Sequence, residues 1–224
     1  MIKNGIADRM LVGGMDALSR FSINGFNSLE ILSQTGCKPF DKNRDGITAG
    51  EGAAFLVLEA EDVVGSRKIY GEVSGYANRN EAFHATASSP DGEGAVQTME
   101  KALASSHLQP SDIDYINAHG TGTLVNDISE GRALDKVFGE NVPLFSSTKG
   151  YTGHTFAAAG AIEAVFSLLA INRGVVFPNI ALNNKLEEMN ANPTTELCQH
   201  PVRNVLSNSF GFGGSNTTLI FSKI

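Results

Sequence analysis

The sequence is short of cysteine, of basic runs and of long apolar stretches, and each shortage removes a class of protein. Only two cysteines, Cys37 and Cys198, stand among 224 residues. They cannot make the dense disulfide framework of a small secreted domain, and their separation fits no metal-ligand spacing. Two isolated thiols suit a reducing, cytoplasmic setting. Lysine and arginine total 17 against 24 aspartates and glutamates, a formal charge of -7. No Lys/Arg run reverses that balance, so nucleic acid is not the expected partner. An acidic protein partner would need a local basic patch, which net charge does not exclude. The N-terminal residues Met1 to Asp8 hold no apolar signal core. The longest apolar stretch, Phe156 to Ile171, reads as too short for a membrane span and contains Glu163. No short-period repeat or low-complexity segment is found.

What is present describes a globular α/β chain with many tight turns: 42% hydrophobic residues, 18% charged and 24 glycines. Residues 9–14 and 55–60 read as short buried strands, with a helix between them at 27–34. A polar stretch at 66–68 suggests a boundary, giving units 1–67 and 68–224. Beyond it, strands are expected at 68–77, 113–117, 144–147, 205–210 and 218–222. Glu93 to His107 has helical spacing, closed by Pro110. A second helix opens near Asn126, where Asp127 and Glu130 suit its positive N-terminal end. Residues 182–200 read as a polar surface excursion.

The densest chemistry lies in Phe145-Ser-Ser-Thr-Lys149-Gly-Tyr-Thr-Gly-His154, a strand that turns through small residues into an apolar helix. Gly150 and Gly153 permit the bend. Lys149 and His154 are expected at the lip of that turn. Glu163 falls in the helix among Ala157, Ala158, Ile162, Phe166 and Leu169. A carboxylate buried there needs a partner, and Lys149 is the nearest candidate. His119, in Asn117-Ala-His-Gly-Thr-Gly-Thr123, repeats the pattern: a strand end followed by glycines and threonines whose hydroxyls can meet a ligand. Taken alone, such a histidine is better explained by a satisfied turn. Two of them favour a pair of ring N–H donors aimed at one developing oxyanion.

Three other patterns carry less. Asp41-Lys-Asn-Arg-Asp45-Gly46 begins like an EF-hand loop, but position twelve is Gly52 instead of the bidentate glutamate. It reads as a polar turn whose aspartates cap amides, with Arg44 or Glu51 as neighbours. The histidines lack a third ligand at zinc spacing, so no metal is expected. Gly211-Phe-Gly-Gly-Ser-Asn216 lacks the last small residue and the following helix of a dinucleotide loop, so no such cofactor is expected. Its glycines leave Phe212 either a swinging gate or a core ring. Cys37 has no base beside it and reads as structural, although Lys38 could lower its pKa.

Together, Asn-Ala-His119-Gly-Thr-Gly-Thr, Ser-Thr-Lys149-Gly-Tyr-Thr-Gly-His154 and Asn208-Ser-Phe-Gly-Phe212-Gly-Gly resemble the β-ketoacyl-acyl carrier protein synthases, most of all the elongating type. Supporting matches are Cys37 to Gly52, Thr86 to Gly94 and Asn126-Asp127. The resemblance implies an α/β, thiolase-like fold of layers αβαβα, here the C-terminal half plus the end of the N-terminal half. It implies an acyltransferase of fatty acid synthesis running a decarboxylative Claisen condensation without cofactor. His119 and His154 would stabilise the enolate. Lys149, paired with Glu163, would keep His154 a donor. Thr121 and Thr123 would bind the phosphopantetheine arm of an acyl carrier protein, and Thr86, Phe210 and Phe212 would line or gate the substrate pocket.

The nucleophilic cysteine of that family lies before the segment corresponding to Met1, and Cys37 matches a different cysteine. The expectation is therefore the decarboxylating part of a site without its acylating part. Such a chain would be a fragment, a subunit completed by an N-terminal-half polypeptide, or a non-catalytic partner like a chain-length-determining subunit. A homodimer and exposed apolar surface are also expected.

Overall fold

The computed structural model describes residues 1–224. Strand β1 (Arg9–Asp16), helix α1 (Arg20–Ser28) and strand β2 (Gly52–Glu59) come first. β1 and β2 pair antiparallel from Arg9↔Glu59 to Asp16↔Gly52. They are longer than the sequence suggests and not buried, since half-buried and exposed residues alternate along both. Helix α1 starts well before the expected residue 27. Ser19 sets its start, its hydroxyl accepting the Ser22 N–H and satisfying one orphan donor of the first turn.

A short helix α2 (Glu61–Val64) leads into the larger part of the chain. There follow β3 (Glu72–Asn80), α3 (Glu93–Ser106), β4 (Tyr115–Asn117), α4 (Leu124–Phe138), β5 (Leu144–Ser146), α5 (Lys149–Thr152) and α6 (Ala159–Arg173). The chain closes with β6 (Val175–Val176), β7 (Cys198–Gln199), β8 (Asn204–Gly211) and β9 (Ser215–Ser222). Five strands form one sheet in the order β3-β9-β8-β4-β5. β4 lies parallel to β5 and β8, while β9 is antiparallel to β3 and β8.

Successive strand residues face opposite sides of a sheet, and each side has its own core. Ile116, Leu206 and Ile220 join Met99 of α3 and Leu134 of α4. Their neighbours Tyr115, Val205 and Phe221 join Ala164, Ala170 and Ile171 of α6. Helix α6 touches β1 and β2 on its far side. The layers therefore run sheet, helix, sheet, helices: four of the five expected. The outward face of β1–β2 is bare, with Leu11, Met15, Phe55 and Val57 each more than half exposed.

Three expectations change. His107, in left-handed backbone, ends α3, and Pro110 opens a 3-10 turn instead of stopping the helix. The 182–200 excursion is anchored, because Leu186 and Met189 are buried in the main core. Phe156–Arg173 has the length and apolar composition of a membrane span. Here it is a 3-10 turn followed by a core helix between the two sheets.

Candidate active site

Strands β4 and β5 lie side by side, Asn117 opposite Ser146. The turns that follow them therefore open at one edge of the sheet. Open α/β sheets bind ligands in that position, beyond the carboxyl ends of parallel strands. Each turn brings a histidine, and the rings of His119 and His154 meet edge to face with centroids 5.4 Å apart.

The proton on each ring is fixed by what its Nδ1 meets. Lys149 Nζ lies 3.3 Å from His119 Nδ1 and donates to the His119 carbonyl at 2.7 Å. An ammonium has no lone pair, so that Nδ1 must accept and the ring proton sits on Nε2. His154 Nδ1 accepts the backbone N–H of Phe156 at 3.1 Å, with the same consequence. Both rings thus carry a free Nε2–H. Burial, then the Lys149 charge, hold both below the ordinary histidine range, His154 down to about 3.

Lys149 is not at the lip of the turn. It is 1% exposed within α5, ion-paired to Glu163, and its contacts go to His119 and not to His154. Glu163 lies on the buried face of α6 with Ala159, Ser167 and Ala170. Leu169, of the expected stripe, is exposed. Burial raises the Glu163 carboxyl and Lys149 opposes that rise. The break between α5 and α6 needs Gly153, which sits at φ 67° with no room for a Cβ, 2.7 Å from the Thr48 carbonyl.

The His119 turn is held from below by α4. Asp127 and Glu130 are fully buried and do more than complement a helix end. Glu130 accepts the N–H groups of His119 at 2.9 Å and Gly120 at 2.8 Å, and the Asn208 amide at 3.1 Å. Burial raises its carboxyl to about 7. Asp127 accepts the N–H groups of Phe40 at 2.8 Å and Gly122 at 3.2 Å.

A cavity of about 710 Å³ opens above the two rings. His119, His154, Thr86, Thr121, Thr123, Phe210 and Phe212 all line it, whereas Lys149 and Glu163 lie beneath its floor. The Thr121 and Thr123 hydroxyls are 2.8 Å apart. Phe212 is half exposed at the rim, 6.1 Å from Phe26. Phe26 and Phe156 also line the cavity, and sequence reasoning missed both. Phe156 occupies the left-handed region at φ 48°, a strained conformation for an aromatic residue. Its ring stacks between Phe26 at 4.6 Å and His154 at 5.1 Å.

Neither thiol lines the cavity. Cys37 is buried, bonded to the Thr121 carbonyl at 3.4 Å, and pushed up to about 12 by burial. That makes it inert, as a structural cysteine should be. In the 41–46 loop, Asp41 caps the amides of Asn43, Asn183 and Asn184. Asp45 binds the hydroxyls of Ser33 and Thr35. No three His, Cys, Asp or Glu side chains are placed to hold a metal ion. The 211–216 glycine turn joins two strands and opens no helix.

Residues 1–63 match the N-terminal domain of beta-ketoacyl synthases and residues 70–183 the C-terminal domain. The chain is 42% identical to a mitochondrial 3-oxoacyl-[acyl-carrier-protein] synthase of Arabidopsis thaliana, covering all of this chain and 52% of that protein. It is 38% identical to 3-oxoacyl-[acyl-carrier-protein] synthase 2 of Staphylococcus aureus, covering 56% of it. The chain thus spans about half the length of the curated relatives it matches. Among solved structures, all of it superposes on 55% of a chain from a ketosynthase–chain length factor complex of Xenorhabdus doucetiae (TM-score 0.91, 40% identity). It superposes equally on 58% of a chain from a type II polyketide acyl-carrier protein–ketosynthase complex (TM-score 0.95, 34% identity).

Proposed function

The chain belongs to the β-ketoacyl synthase family, and on that premise we propose that its cavity is the decarboxylating part of a 3-oxoacyl-[acyl-carrier-protein] synthase site. The observation that carries this reading is the pair of Nε2–H donors converging in one buried pocket. The malonyl thioester places its carbonyl oxygen between His119 and His154. As the bond to the carboxylate breaks, carbon dioxide leaves and its electron pair enters the enolate. The two N–H groups hold the oxyanion; the enolate carbon then attacks an acyl thioester, forming the new C–C bond as the C–S bond breaks and the thiolate leaves. Both rings act as neutral donors, so no proton has to be loaded before the step. One such preorganised donor is worth about 10²–10³ in rate.

Lys149, tethered by Glu163, orients His119. Thr121 and Thr123 take the phosphopantetheine arm, Thr86 and Phe210 line the substrate channel, and Phe212 gates it. An acyl carrier protein presents the thioester. Since Cys37 and Cys198 both lie outside the cavity lining, the acyl-bearing thiol comes from outside these residues. Residues 1–67 serve as the end of an N-terminal half and 68–224 as the C-terminal half. A role as a non-catalytic chain-length partner gives no use for two desolvated donors above a buried Lys–Glu pair, which favours the catalytic reading.

The test is malonyl-pantetheine decarboxylation by the chain combined with an N-terminal-half polypeptide. His154→Ala should lower carbon dioxide release by about 10²–10³. Release at the unsubstituted rate would overturn the role of His154. The chain alone should not condense acyl and malonyl thioesters, because no acyl-enzyme can form on it; turnover by the purified polypeptide would refute this assignment of the thiol.

A further inference from the structure

Arg44 has no part in the chemistry above, yet it is 4% exposed and its side chain is fully committed. Its Nε donates to the Thr123 carbonyl at 2.8 Å, one terminal nitrogen to the Leu124 carbonyl at 2.6 Å, and the other to the Asp41 carbonyl at 3.0 Å. Asp127, 3.6 Å away, balances its charge. A planar guanidinium is suited to this task, since three rigid donors reach three carbonyls at once. The same loop binds the rest of the turn. Gly46 N–H meets the Gly122 carbonyl at 3.0 Å, and the Cys37 thiol meets the Thr121 carbonyl at 3.4 Å. Gly122 itself, at φ 77°, packs so closely that an added Cβ would lie 3.0 Å from the Gly46 carbonyl. The carbonyls of residues 121 to 124 are therefore all bonded to residues 37–46.

The turn so held carries the hydroxyls of Thr121 and Thr123, and Asp127 completes its support by accepting the Gly122 N–H at 3.2 Å. We propose that Arg44 is a positioning residue of the substrate site: it moulds the 121–124 backbone and so sets where the two threonine hydroxyls meet the substrate's arm. The loop that resembles half a calcium site thus uses its aspartates to anchor itself to residues 33–35 and 183–184 and its arginine to shape the pocket. The proposal deepens the functional reading above and rests on it for the identity of the arm.

Arg44→Lys is the informative variant. It keeps a cation near Asp127 but loses the three-pronged fork, so a purely charge-balancing or structural role would survive it. Two measurements on the full chain separate the outcomes. Amide hydrogen exchange at Gly122 and Thr123 should speed up at least about tenfold in Arg44→Lys, with exchange in the core strand β8 unchanged. Malonyl-pantetheine binding, followed by titration calorimetry, should weaken about tenfold, with the His119 and His154 ring resonances unmoved. Unchanged exchange at Gly122 and Thr123 would overturn the role of Arg44 whatever the probe does. So would wild-type affinity for the probe in the variant. Exchange that rises equally in β8 would reduce Arg44 to a general structural residue and overturn the proposal as well. Failure of the unsubstituted chain to bind malonyl-pantetheine would instead overturn the reading of the site, and with it the substrate clause here.

Discussion

A histidine stabilises an oxyanion at neutral pH without first taking up a proton only if its neutral ring already points an N–H at the right place. Both rings here meet that condition, by different means. His154 Nδ1 accepts an amide two residues on, and His119 Nδ1 faces a lysine thirty residues on. Burial and the Lys149 charge then oppose protonation of either. We therefore expect ¹⁵N resonances of the Nε2–H tautomer for both rings from pH 5 to 8; a ring that titrates near 6.5 would contradict this. The linkage has a definite sign. The unfolded chain protonates these rings on passing below about 6.5, while folding keeps them neutral. Their stability contribution is full above that pH and is lost as acid carries His154 toward about 3. The histidines themselves stand out in the sequence because each follows a strand in a turn of Gly and Thr. Their tautomers do not, because a lysine thirty positions away leaves no local pattern. Phe156 is illegible for a related reason: its left-handed backbone and its stack between Phe26 and His154 come from tertiary packing, which its own residue type does not announce.

The elements were readable where burial imposes a period and obscure where it does not. β4, β5 and β8 pack on both faces and stand within a residue or two of their expected bounds. Helix α1 buries none of its residues, so no core contact marks it, and its Ser19 cap sets its start. Helix α6 shows the opposite difficulty. It is apolar nearly all round, so the pattern could not tell which face holds Glu163. The ion pair between α5 and α6 decides that, and it has an energetic consequence. Breaking a buried pair from one side leaves an uncompensated charge and costs about 3–5 kcal/mol, whereas replacing both partners with apolar residues can be near neutral. Glu163→Leu should therefore lower stability by about 3–5 kcal/mol, and Lys149→Met/Glu163→Leu should recover most of it. Urea denaturation of the two variants measures this; equal losses in both would mean that the pair does not act as a unit. The double variant should still fail in decarboxylation, because His119 would lose the group that fixes its ring.

At the scale of the molecule, the β1–β2 ribbon is the unusual part. A sheet of two strands is marginal by itself, and this one is fastened by α6 along its inner face. On the outer face the cross-strand pairs Leu11↔Val57, Gly13↔Phe55 and Met15↔Ala53 contain no polar side chain. Leu11 is 69% exposed, Met15 67%, Val57 65% and Phe55 55%. Strands apolar on both faces are those that sit between two layers, and this sheet has only one. A contiguous exposed patch of this kind drives association. The chain should therefore self-associate with rising concentration and bind an apolar dye. Leu11→Glu with Val57→Lys tests the cause directly. The two positions face each other in register, and opposite charges there form a favourable cross-strand pair worth about 0.2–1 kcal/mol. The double substitution should shift sedimentation toward the monomer and reduce dye binding, with a melting temperature within a few degrees of the unsubstituted chain. It should leave the two histidine rings untouched, since Leu11 and Val57 are on the exposed face of the ribbon and neither lines the cavity. Self-association that persists in this variant, and in one that also carries polar residues at Met15 and Phe55, would move its source away from the ribbon, to side chains such as Phe21 at 89% exposure.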